Sequence, residues 1–397
     1  MPKKIGFDAT TITKNHNGGK DQVALNLLCG FEKNGLGDNF VVFCIPEMLG
    51  YIDSLIPSAR VVPVISKRLW KKSIEDIFTR TFELPRYVKE YEVGVLLFPI
   101  SNTGLCRYSI PTVVIPHDIQ TQSHKERFSL KTRLKMDFFY HFDFKLRDWI
   151  VAISNFDKEE IASFYPMHKK KIIVIYNPIR TDFFTMTEPS VETKAHRAPV
   201  SNQIVEPEMF AKPYITAINI QYGHKNTITL IKAFEKIVRD IPHSLYLIGI
   251  INLETSSLLD YVENNSLSDR VKFLGFLDNI KLAEILKGSD LYVNPSSFEG
   301  FGMTSIEAML SGVPTLVSAV SAVPEVTMGL CQYYEPAEDE EELSRAIKKI
   351  LLADEKENDE KLRAIGDQVR DRYDYVKISL QYFDFLTSNM QDRRNFR

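Results

Sequence analysis

The sequence predicts an α/β protein built from two doubly wound domains. Two series of short apolar runs alternate with helical patterns along the 397 residues, as expected for buried parallel strands joined by helices. Between the two series, over residues 181–212, this periodicity fails and prolines stand among Ser, Thr and Glu, which indicates a linker. The chain is also longer than most single domains.

The first domain is predicted over residues 1–180. Its strands are expected at residues 5–7, 41–45, 61–65, 95–98, 113–115, 149–153 and 172–175. After the first strand, a helix is predicted over residues 21–33, because the apolar residues there fall on one helical face. Gly18 and Gly19 precede this helix and can bring backbone amides against a ligand, although a glycine pair in a surface turn needs no function.

The second domain is predicted over residues 213–374, with helices such as 228–239 and 282–287. Its strands are expected at residues 214–218, 244–248, 271–274, 290–293 and 315–317. The tail is strongly helical, and we expect its last helix, at about 375–397, to pack back on the first domain. Two such domains bind a ligand at the carboxyl ends of their strands, in the cleft between them.

Composition excludes several classes of protein. A net charge of -3 and a pI near 6.3 give no basic field for nucleic acid. The four cysteines are scattered without the spacing of a zinc site or the density of a disulfide scaffold, so reduced thiols are expected. The apolar stretch at the N-terminus is too short for a signal peptide, and no run suits a spanning helix. We therefore expect a cytoplasmic protein, with attachment to the inner membrane surface left open.

Residues 290–314 form the most informative segment, which reads as a strand, a glycine loop and a helix. Gly300 and Gly302 let the backbone pass close to a ligand, and the amides that begin the helix suit a diphosphate. Glu299 can then face a sugar while Glu307 accepts hydrogen bonds from ribose hydroxyls. Two structural alternatives stay open: Thr304 to Glu307 also reads as a capping box, and Glu299 as a partner of the helix dipole.

Residues 299–307 resemble the Glu-x7-Glu motif of the retaining GT-B glycosyltransferases of family 4. This family contains many polysaccharide and lipid-linked sugar transferases. The similarity extends over nearly the whole chain, because further motifs occur in the order that the family has: Gly18-Gly19, Pro116-His-Asp118, Ile153-Ser-Asn-Phe156, Tyr176-Asn-Pro178, His224-Lys-Asn226 and Phe273-Leu-Gly-Phe276. The resemblance implies a hexosyltransferase of GT-B fold, whose first domain binds the acceptor and whose second binds the donor.

The resemblance also implies a reaction and its partners. A sugar would pass from a UDP-, GDP- or ADP-linked donor to a glycan or lipid-linked acceptor, with retention at the anomeric carbon, in polysaccharide biosynthesis. No Asp-x-Asp triplet occurs in the chain, so we expect no metal and no cofactor. The helix terminus and Lys225 would replace the cation electrostatically.

The catalytic residues implied by the resemblance are Glu299, His117 and Lys225. Lys225 would neutralise the donor phosphates. His117 would contact the sugar or the acceptor, and Asp118 would hold its imidazole tautomer or the loop, although a buried structural histidine is the commoner case. The donor-binding set is Gly18, Gly19, Asn219, His224, Lys225, Phe276, Gly300, Phe301, Gly302, Met303, Thr304 and Glu307. The arginine that often precedes this lysine is missing, and His224 or Asn219 would substitute.

Two other functions fit the same fold. A nucleotide-sugar 2-epimerase also uses two such domains, but it lacks the segment 299–307 in this form. A catalytically silent partner of a transferase is opposed by the intact Glu299, Lys225 and Glu307. Replacing Glu299 with Ala is expected to abolish transfer while leaving thermal stability nearly unchanged.

Two basic, aromatic stretches, residues 67–72 and 125–149, suggest a further partner. Such helices can lie on an anionic membrane surface and take a lipid-linked acceptor. Acidic residues are interspersed in them, however, so a solvated amphipathic face is an equally good interpretation.

Overall fold

The computed structural model describes residues 3–13, 18–66, 72–184, 212–218, 220, 222–250, 253–353 and 359–390. Most of the expected linker, the site candidate Asn219 and residues 67–71 of the first basic stretch lie outside these ranges. The chain divides into two compact units. The first contains the described residues up to Ile179 and from Tyr373 on, and the second those from Arg180 to Arg372.

In its described residues, the first unit contains seven strands, and its helices, apart from the last helix of the chain, lie in the N-terminal part. In chain order, strands β1–β7 are Lys4–Ala9, Phe40–Cys44, Arg60–Pro63, Val93–Phe98, Thr112–Val114, Trp149–Ala152 and Ile172–Val174. Helices α1–α7 are Gly19–Lys33, Leu49–Leu55, Lys72–Phe78, Leu84–Glu90, Gln120–Ser123, Leu130–Leu146 and Asn155–Phe164. A π-helical turn, Thr79–Glu83, joins α3 to α4.

The second unit has the same alternation of strands and helices. Strands β8–β13 are Tyr214–Ile218, Ser244–Ile248, Val271–Gly275, Leu291–Asn294, Thr315–Ser318 and Gln332–Tyr334. Helices α8–α14 are Thr227–Ile237, Leu253–Asn264, Asn279–Gly288, Met303–Leu310, Val323–Val326, Glu340–Leu351 and Asp359–Tyr373. The last helix of the chain, α15, is Tyr375–Ser388 and belongs to the first unit.

Both sheets are parallel throughout, which confirms the predicted α/β class. The strand order is β3-β2-β1-β4-β5-β6-β7 in the first unit and β10-β9-β8-β11-β12-β13 in the second. In each sheet the order reverses beside the first strand, between β1 and β4 and between β8 and β11. Open sheets of this kind bind ligands at such switch points, outside the carboxyl ends of the strands.

The burial of each strand explains whether the sequence predicted it. Every residue of β2, β4 and β11 is buried, and these strands read as plain apolar runs. The short edge strand β13 was not predicted, because it has three residues and begins with the exposed Gln332. Within the described ranges, no helix is long and apolar enough to cross a membrane.

Helix α15 packs closely on α1, and a glycine makes this approach possible. A Cβ atom at Gly30 would lie 2.4 Å from Oγ of Ser379 and 2.5 Å from the carbonyl oxygen of Tyr375. Nδ2 of Asn34, at the end of α1, donates to the Val376 carbonyl at 2.8 Å. The last described helix is therefore held by both close backbone packing and hydrogen bonds.

A buried ion pair fixes the carboxyl end of β1. Nε of Arg80, in the π-helical turn, lies 2.7 Å from Oδ2 of Asp8, and both side chains are about 1% exposed. The same guanidinium donates through Nη1 to the Asn102 carbonyl, beyond the end of β4. Because both partners are withdrawn from water, loss of either one would leave an uncompensated buried charge.

Candidate functional site

The loops that follow β8 and β11 are joined at the switch point of the second sheet. The Ser297 amide donates to the carbonyl oxygen of His224 at 2.8 Å. Nδ2 of Asn226, whose own φ is 54°, donates to the Pro295 carbonyl at 3.1 Å. These bonds hold the turn Gly223–Lys225 beside the loop that leads to the glycines.

Lys225 and Glu299 form a buried ion pair at this junction. Nζ of Lys225 lies 2.6 Å from Oε1 of Glu299, and the side chains are 12% and 8% exposed. Burial by itself raises the pKa of Glu299, but the charge and hydrogen bond of Lys225, with a hydrogen bond from Ser296, outweigh it and leave the pKa lowered. Glu299 is therefore a carboxylate at neutral pH.

Two neighbours of Glu299 were missed by sequence reasoning. Oγ of Ser296 donates to Oε1 of Glu299 at 2.8 Å, and Nδ2 of Asn294 lies 3.3 Å from the same atom. Asn294 also donates to Oγ of Ser305, in α11, at 3.0 Å. Asn294 ends β11 and Ser296 follows it, and their position at the carboxyl end of this strand could have identified them as site residues, because ligands bind there in such sheets. In the described part of the chain no group donates to Oε2 of Glu299, so that oxygen can accept from a ligand.

Gly302 is the N-cap of α11, whereas the expected capping box would require Thr304 at that position. Its φ is 89°, in the left-handed region, and it serves as N-cap without a side-chain hydrogen bond. Thr304 lies inside the helix instead, where its Oγ1 accepts a hydrogen bond from the Tyr292 hydroxyl at 2.8 Å. The capping-box interpretation of Glu307 is thus wrong. Among the described residues, the amides of Met303 and Thr304 at the start of α11 have no acceptor and suit an anion, whereas the Ser305 amide donates to the Gly302 carbonyl at 3.1 Å.

Glu307 differs from Glu299 although it is equally buried. It is 9% exposed, and within the described ranges no hydrogen-bond donor or cation contacts its carboxyl group. Burial alone raises its pKa to about 8. Glu307 therefore carries a proton at neutral pH in this structure, whereas Glu299 is ionised.

Aromatic side chains flank the loops of the second unit. The His224 ring stacks on the exposed Tyr222 ring, with centroids 5.7 Å apart and planes 17° apart. Phe276 is partly exposed directly after β10, and Phe301 is buried between Gly300 and Gly302. Among the sites expected in this unit, the structure thus brings His224 and Lys225 together with residues 299–307.

His117 is a neutral, buried imidazole in the first unit. It follows β5 with a φ of 71° and is 3% exposed. Burial and the charge of Lys20 lower its pKa to about 3. Nε2 lies 2.7 Å from the Pro99 carbonyl and must donate to it, which leaves Nδ1 as the acceptor.

Asp118 does not hold the imidazole tautomer, because the Pro99 carbonyl does. Oδ1 of Asp118 instead accepts from the Gln120 amide, two residues further along the chain, at 3.3 Å. That Asp118 holds the loop stays a prediction. Oδ2 of Asp118 lies 4.0 Å from Nζ of Lys20, in the first turn of α1.

The glycine pair begins α1, close to the His117 loop. Gly18 is the N-cap, with an extended backbone and no side-chain cap, and Gly19 is the first helical residue. Because Lys20 reaches Asp118, the first unit brings Gly18 and Gly19 together with the loop of residues 117–118. Ser154 is a structural N-cap, since its Oγ accepts from the Asp157 amide at 3.0 Å.

Comparisons with known families match both units. The family model "Glycosyl transferases group 1" matches residues 210–369. The model "Glycosyltransferase Family 4" matches residues 17–183. Together the two matches span most of the chain, and each falls mainly in one unit.

Curated relatives include the O-antigen chain mannosyltransferase RfbU of Salmonella typhimurium, which is 26% identical over 324 residues. That alignment covers 79% of this chain and 82% of RfbU. The N-acetyl-alpha-D-glucosaminyl L-malate synthase of Bacillus anthracis is 33% identical over 176 residues, 43% of this chain. That match spans 44% of the relative's length.

Solved structures share the fold at low sequence identity. Anabaena Alr3699/HepE in complex with UDP and glucose superposes with a TM-score of 0.70 at 18% identity, covering 97% of this chain and 100% of that chain. The lipopolysaccharide glycosyltransferase WaaG gives a TM-score of 0.67 at 13% identity, with coverages of 96% and 99%. The fold is therefore GT-B.

Proposed function

We propose that this chain is a retaining, metal-independent hexosyltransferase, and the matches of the two glycosyltransferase family models to residues 210–369 and 17–183 support this proposal. A sugar passes from a nucleotide-sugar donor to a glycan or lipid-linked acceptor in the cytoplasm, during polysaccharide biosynthesis. The observation that carries the proposal is the buried pair of Lys225 and Glu299 beside the start of α11. It combines a cation, a carboxylate and free helix amides at one switch point.

The donor diphosphate would lie against the amides that follow Gly302. Developing negative charge on the leaving diphosphate needs fixed positive partners, and the helix terminus and the Lys225 ammonium supply them without a metal. Only one hydrogen bond of Lys225 is directed to Glu299, so its ammonium has further protons for a phosphate oxygen.

Glu299 would bind the transferred sugar. Lys225, Ser296 and Asn294 all reach its Oε1, which leaves Oε2 to accept hydrogen bonds from sugar hydroxyls. Because this carboxylate stays ionised, it also stabilises positive charge that develops at the anomeric carbon.

Glu307 would bind the ribose of the nucleotide. A buried carboxyl group without a protein partner is costly, and two ribose hydroxyls would supply the missing hydrogen bonds. Phe276, the residues 300–304 and His224 would complete the donor-binding set that the family resemblance implies, with His224 in place of the missing arginine at the diphosphate.

Retention would follow from attack on the face that the diphosphate leaves. The bond from the anomeric carbon to the diphosphate oxygen breaks, the acceptor oxygen bonds to that carbon on the same face, and its proton passes to the leaving phosphate. His117 would orient the sugar or acceptor through its neutral Nδ1, since its Nε2 is committed to the Pro99 carbonyl.

The test is nucleotide release by the purified full chain. A panel of UDP-, GDP- and ADP-linked sugars is incubated with and without EDTA, and UDP-glucose and nucleotide-linked mannose come first because HepE binds UDP and glucose and RfbU is a mannosyltransferase. We expect slow hydrolysis of one donor at the same rate in EDTA. Glu299→Gln should abolish release, whereas Glu284→Gln, on the exposed side of α10, should not.

Other outcomes separate the competing functions. Isomerised donor without nucleotide release would indicate a 2-epimerase. Neither binding nor turnover of any donor would overturn both enzymatic proposals and favour a silent partner subunit. An inverted anomeric centre in the product, read by NMR, would exclude retention while leaving transfer itself intact.

A further inference from the structure

The two faces of strand β11 differ in chemical character. Leu291 and Val293 are fully buried in the apolar core of the second unit. Tyr292 and Asn294 alternate with them along the strand and contact α11 instead, although they are only 0% and 5% exposed. Polar side chains buried in this way need hydrogen-bond partners, because an unpaired polar group in the interior is costly.

Each of these polar side chains bonds to a different residue in the first turn of α11. The Tyr292 hydroxyl donates to Oγ1 of Thr304 at 2.8 Å. Nδ2 of Asn294 donates to Oγ of Ser305, which is 1% exposed, at 3.0 Å. Strand β11 thus holds the turn whose amides, those of Met303 and Thr304, suit the donor diphosphate.

Asn294 makes a second bond, to the carboxylate of Glu299. Its Nδ2 lies 3.3 Å from Oε1 of Glu299. The backbone amide of Ser296 fixes the orientation of the side chain, because an amide N–H must donate and lies 3.2 Å from Oδ1 of Asn294. The nitrogen therefore faces Glu299 and Ser305, and its two hydrogens serve one partner each.

We propose that Asn294 is a positioning residue, which holds the Glu299 carboxylate at a fixed distance from the diphosphate-binding start of α11. The inference rests on the proposed function, in which Glu299 binds the transferred sugar through Oε2. Asn294 bonds Oε1 and so leaves Oε2 for the sugar, and its bond to Ser305 joins the carboxylate to the helix. Because transfer breaks the bond between the sugar and the diphosphate, the groups that bind these two parts must keep a fixed spacing.

The other partners of Glu299 do not make this connection. Lys225 and Ser296 reach Oε1 at 2.6 and 2.8 Å, but in the described part of the chain neither side chain bonds to α11. The Ser296 hydroxyl has one proton and also lies 2.6 Å from Oδ1 of Asn294. Lys225 supplies the positive charge beside Glu299, whereas the neutral amide of Asn294 sets the direction of the carboxylate.

Asn294→Asp tests the contact with Glu299 through the pH dependence of the rate. The variant keeps the shape of the side chain but turns a carboxylate oxygen towards Oε1 of Glu299. Two adjacent carboxylates retain a proton at a higher pH than one alone, and Glu299 must be ionised to act. Relative to the unmodified chain, we expect hydrolysis to be about tenfold slower at pH 6 than at pH 8, because one pKa unit changes the ionised fraction about tenfold.

The measurement uses the full chain and the donor that the nucleotide-sugar panel identifies. His224, Tyr292 and Glu307 are further titratable groups near this carboxylate or its partners. They are present in both chains, so the ratio of the two rates at each pH removes their contribution.

Asn294→Leu and Tyr292→Phe form a matched pair from the same face of β11. In Asn294→Leu the Tyr292 hydroxyl still holds the start of α11, so kcat should fall about tenfold or more while UDP or GDP affinity, by calorimetry, stays within about twofold. Tyr292→Phe keeps the contact with Glu299. It should weaken nucleotide affinity about fivefold and leave the ratio of rates at pH 6 and pH 8 unchanged.

Two further measurements separate structure from chemistry. Thr216→Val removes a buried hydroxyl from β8, where Oγ1 of Thr216 lies 3.1 Å from Oγ of Ser289, and it should change neither rate nor affinity. A double-mutant cycle in urea needs no donor. The change in the unfolding equilibrium constant caused by Asn294→Leu should be about tenfold smaller in a Glu299→Ala background, because the bond to the charged partner is already lost there.

The outcomes distinguish this inference from the proposed function. Equal pH dependence of Asn294→Asp and the unmodified chain would overturn the positioning role. So would rates and nucleotide affinities that fall in the same proportion in Asn294→Leu and Tyr292→Phe, since both bonds would then serve stability alone. If the unmodified chain turns over no donor, the proposed function fails and the positioning role fails with it.

Discussion

The ammonium of Lys225 lies 2.6 Å from Oε1 of Glu299, and both side chains are almost completely buried. The pair joins the loops after β8 and β11, which come from parts of the chain 74 residues apart. Each residue therefore supplies the main opposite charge that stabilises the buried charge of the other. Substitutions here change stability as well as chemistry, and the two effects must be measured separately.

Replacing either member of this pair with alanine should destabilise the chain. Lys225→Ala leaves the Glu299 carboxylate buried beside only neutral donors, and Glu299→Ala leaves the ammonium unpaired. We expect a loss of about 3–5 kcal/mol in the free energy of unfolding, measured by urea denaturation. This differs from the sequence-based expectation that Glu299→Ala leaves stability nearly unchanged. Equal stability of Glu299→Ala and the unmodified chain would contradict the buried pair.

Glu307 should make the chain less stable as pH rises. Its pKa is about 8 in the folded state against 4.5 for the free side chain, so the folded chain keeps a proton that the unfolded chain releases. The stabilisation is complete below about pH 4.5 and is lost towards pH 8, on the order of 3 kcal/mol between pH 5 and 7.5. Glu307→Gln should remove this part of the slope, and Glu284→Gln should keep it. Identical pH profiles of both variants would show that Glu307 ionises normally.

Gly302→Ala should weaken nucleotide binding and stability together. The φ of 89° strains any side chain, and the new Cβ would lie 3.9 Å from the Glu299 side chain. We expect a loss of roughly 1–2 kcal/mol in unfolding free energy and weaker nucleotide binding by calorimetry, because the α11 amides shift. Gly50→Ala is the control, because a Cβ there, in α2, would meet no atom within 4 Å other than those of its own helix backbone and its chain neighbours, and the change should stabilise slightly. Nucleotide binding unaffected by Gly302→Ala would argue against the amide site.

Gly30→Ala should separate α15 from α1. The added methyl group would overlap the Tyr375 carbonyl, which is backbone and cannot rotate away. We expect a loss of about 1–3 kcal/mol in the free energy of unfolding, measured by thermal denaturation, and faster hydrogen exchange in both helices. Donor binding in the second unit should not change. Full protection of α15 in the variant would contradict the close packing.

His117 should contribute no titration to the rate near neutral pH. Its pKa of about 3 keeps the imidazole neutral from about pH 5 to 8. The rate profiles of the unmodified chain and of His117→Gln should therefore have the same shape, with a lower rate for the variant because its Pro99 contact and Nδ1 are lost. If the rate of the unmodified chain changed with pH near 6.5 and this change were absent in His117→Gln, the imidazole would be charged below that pH.

Much of the fold followed from local pattern. The strands buried on both faces, such as β4 and β11, consist of apolar runs that need no tertiary information to be recognised. The edge strand β13 lacks such a run and was missed. The loop from Glu299 to Gly302 could likewise be found, because glycines before a helix have a specific backbone use. The roles of Asn294 and Ser296 were not predicted, since they depend on where the side chains contact Glu299.

The sequence by itself determined the α/β class and the positions of the glycine loop, the lysine and the two glutamates, because each depends on residues close together in the chain. Only the tertiary structure decided that Glu299 is ionised and Glu307 protonated, since burial and the approach of Lys225 come from distant segments.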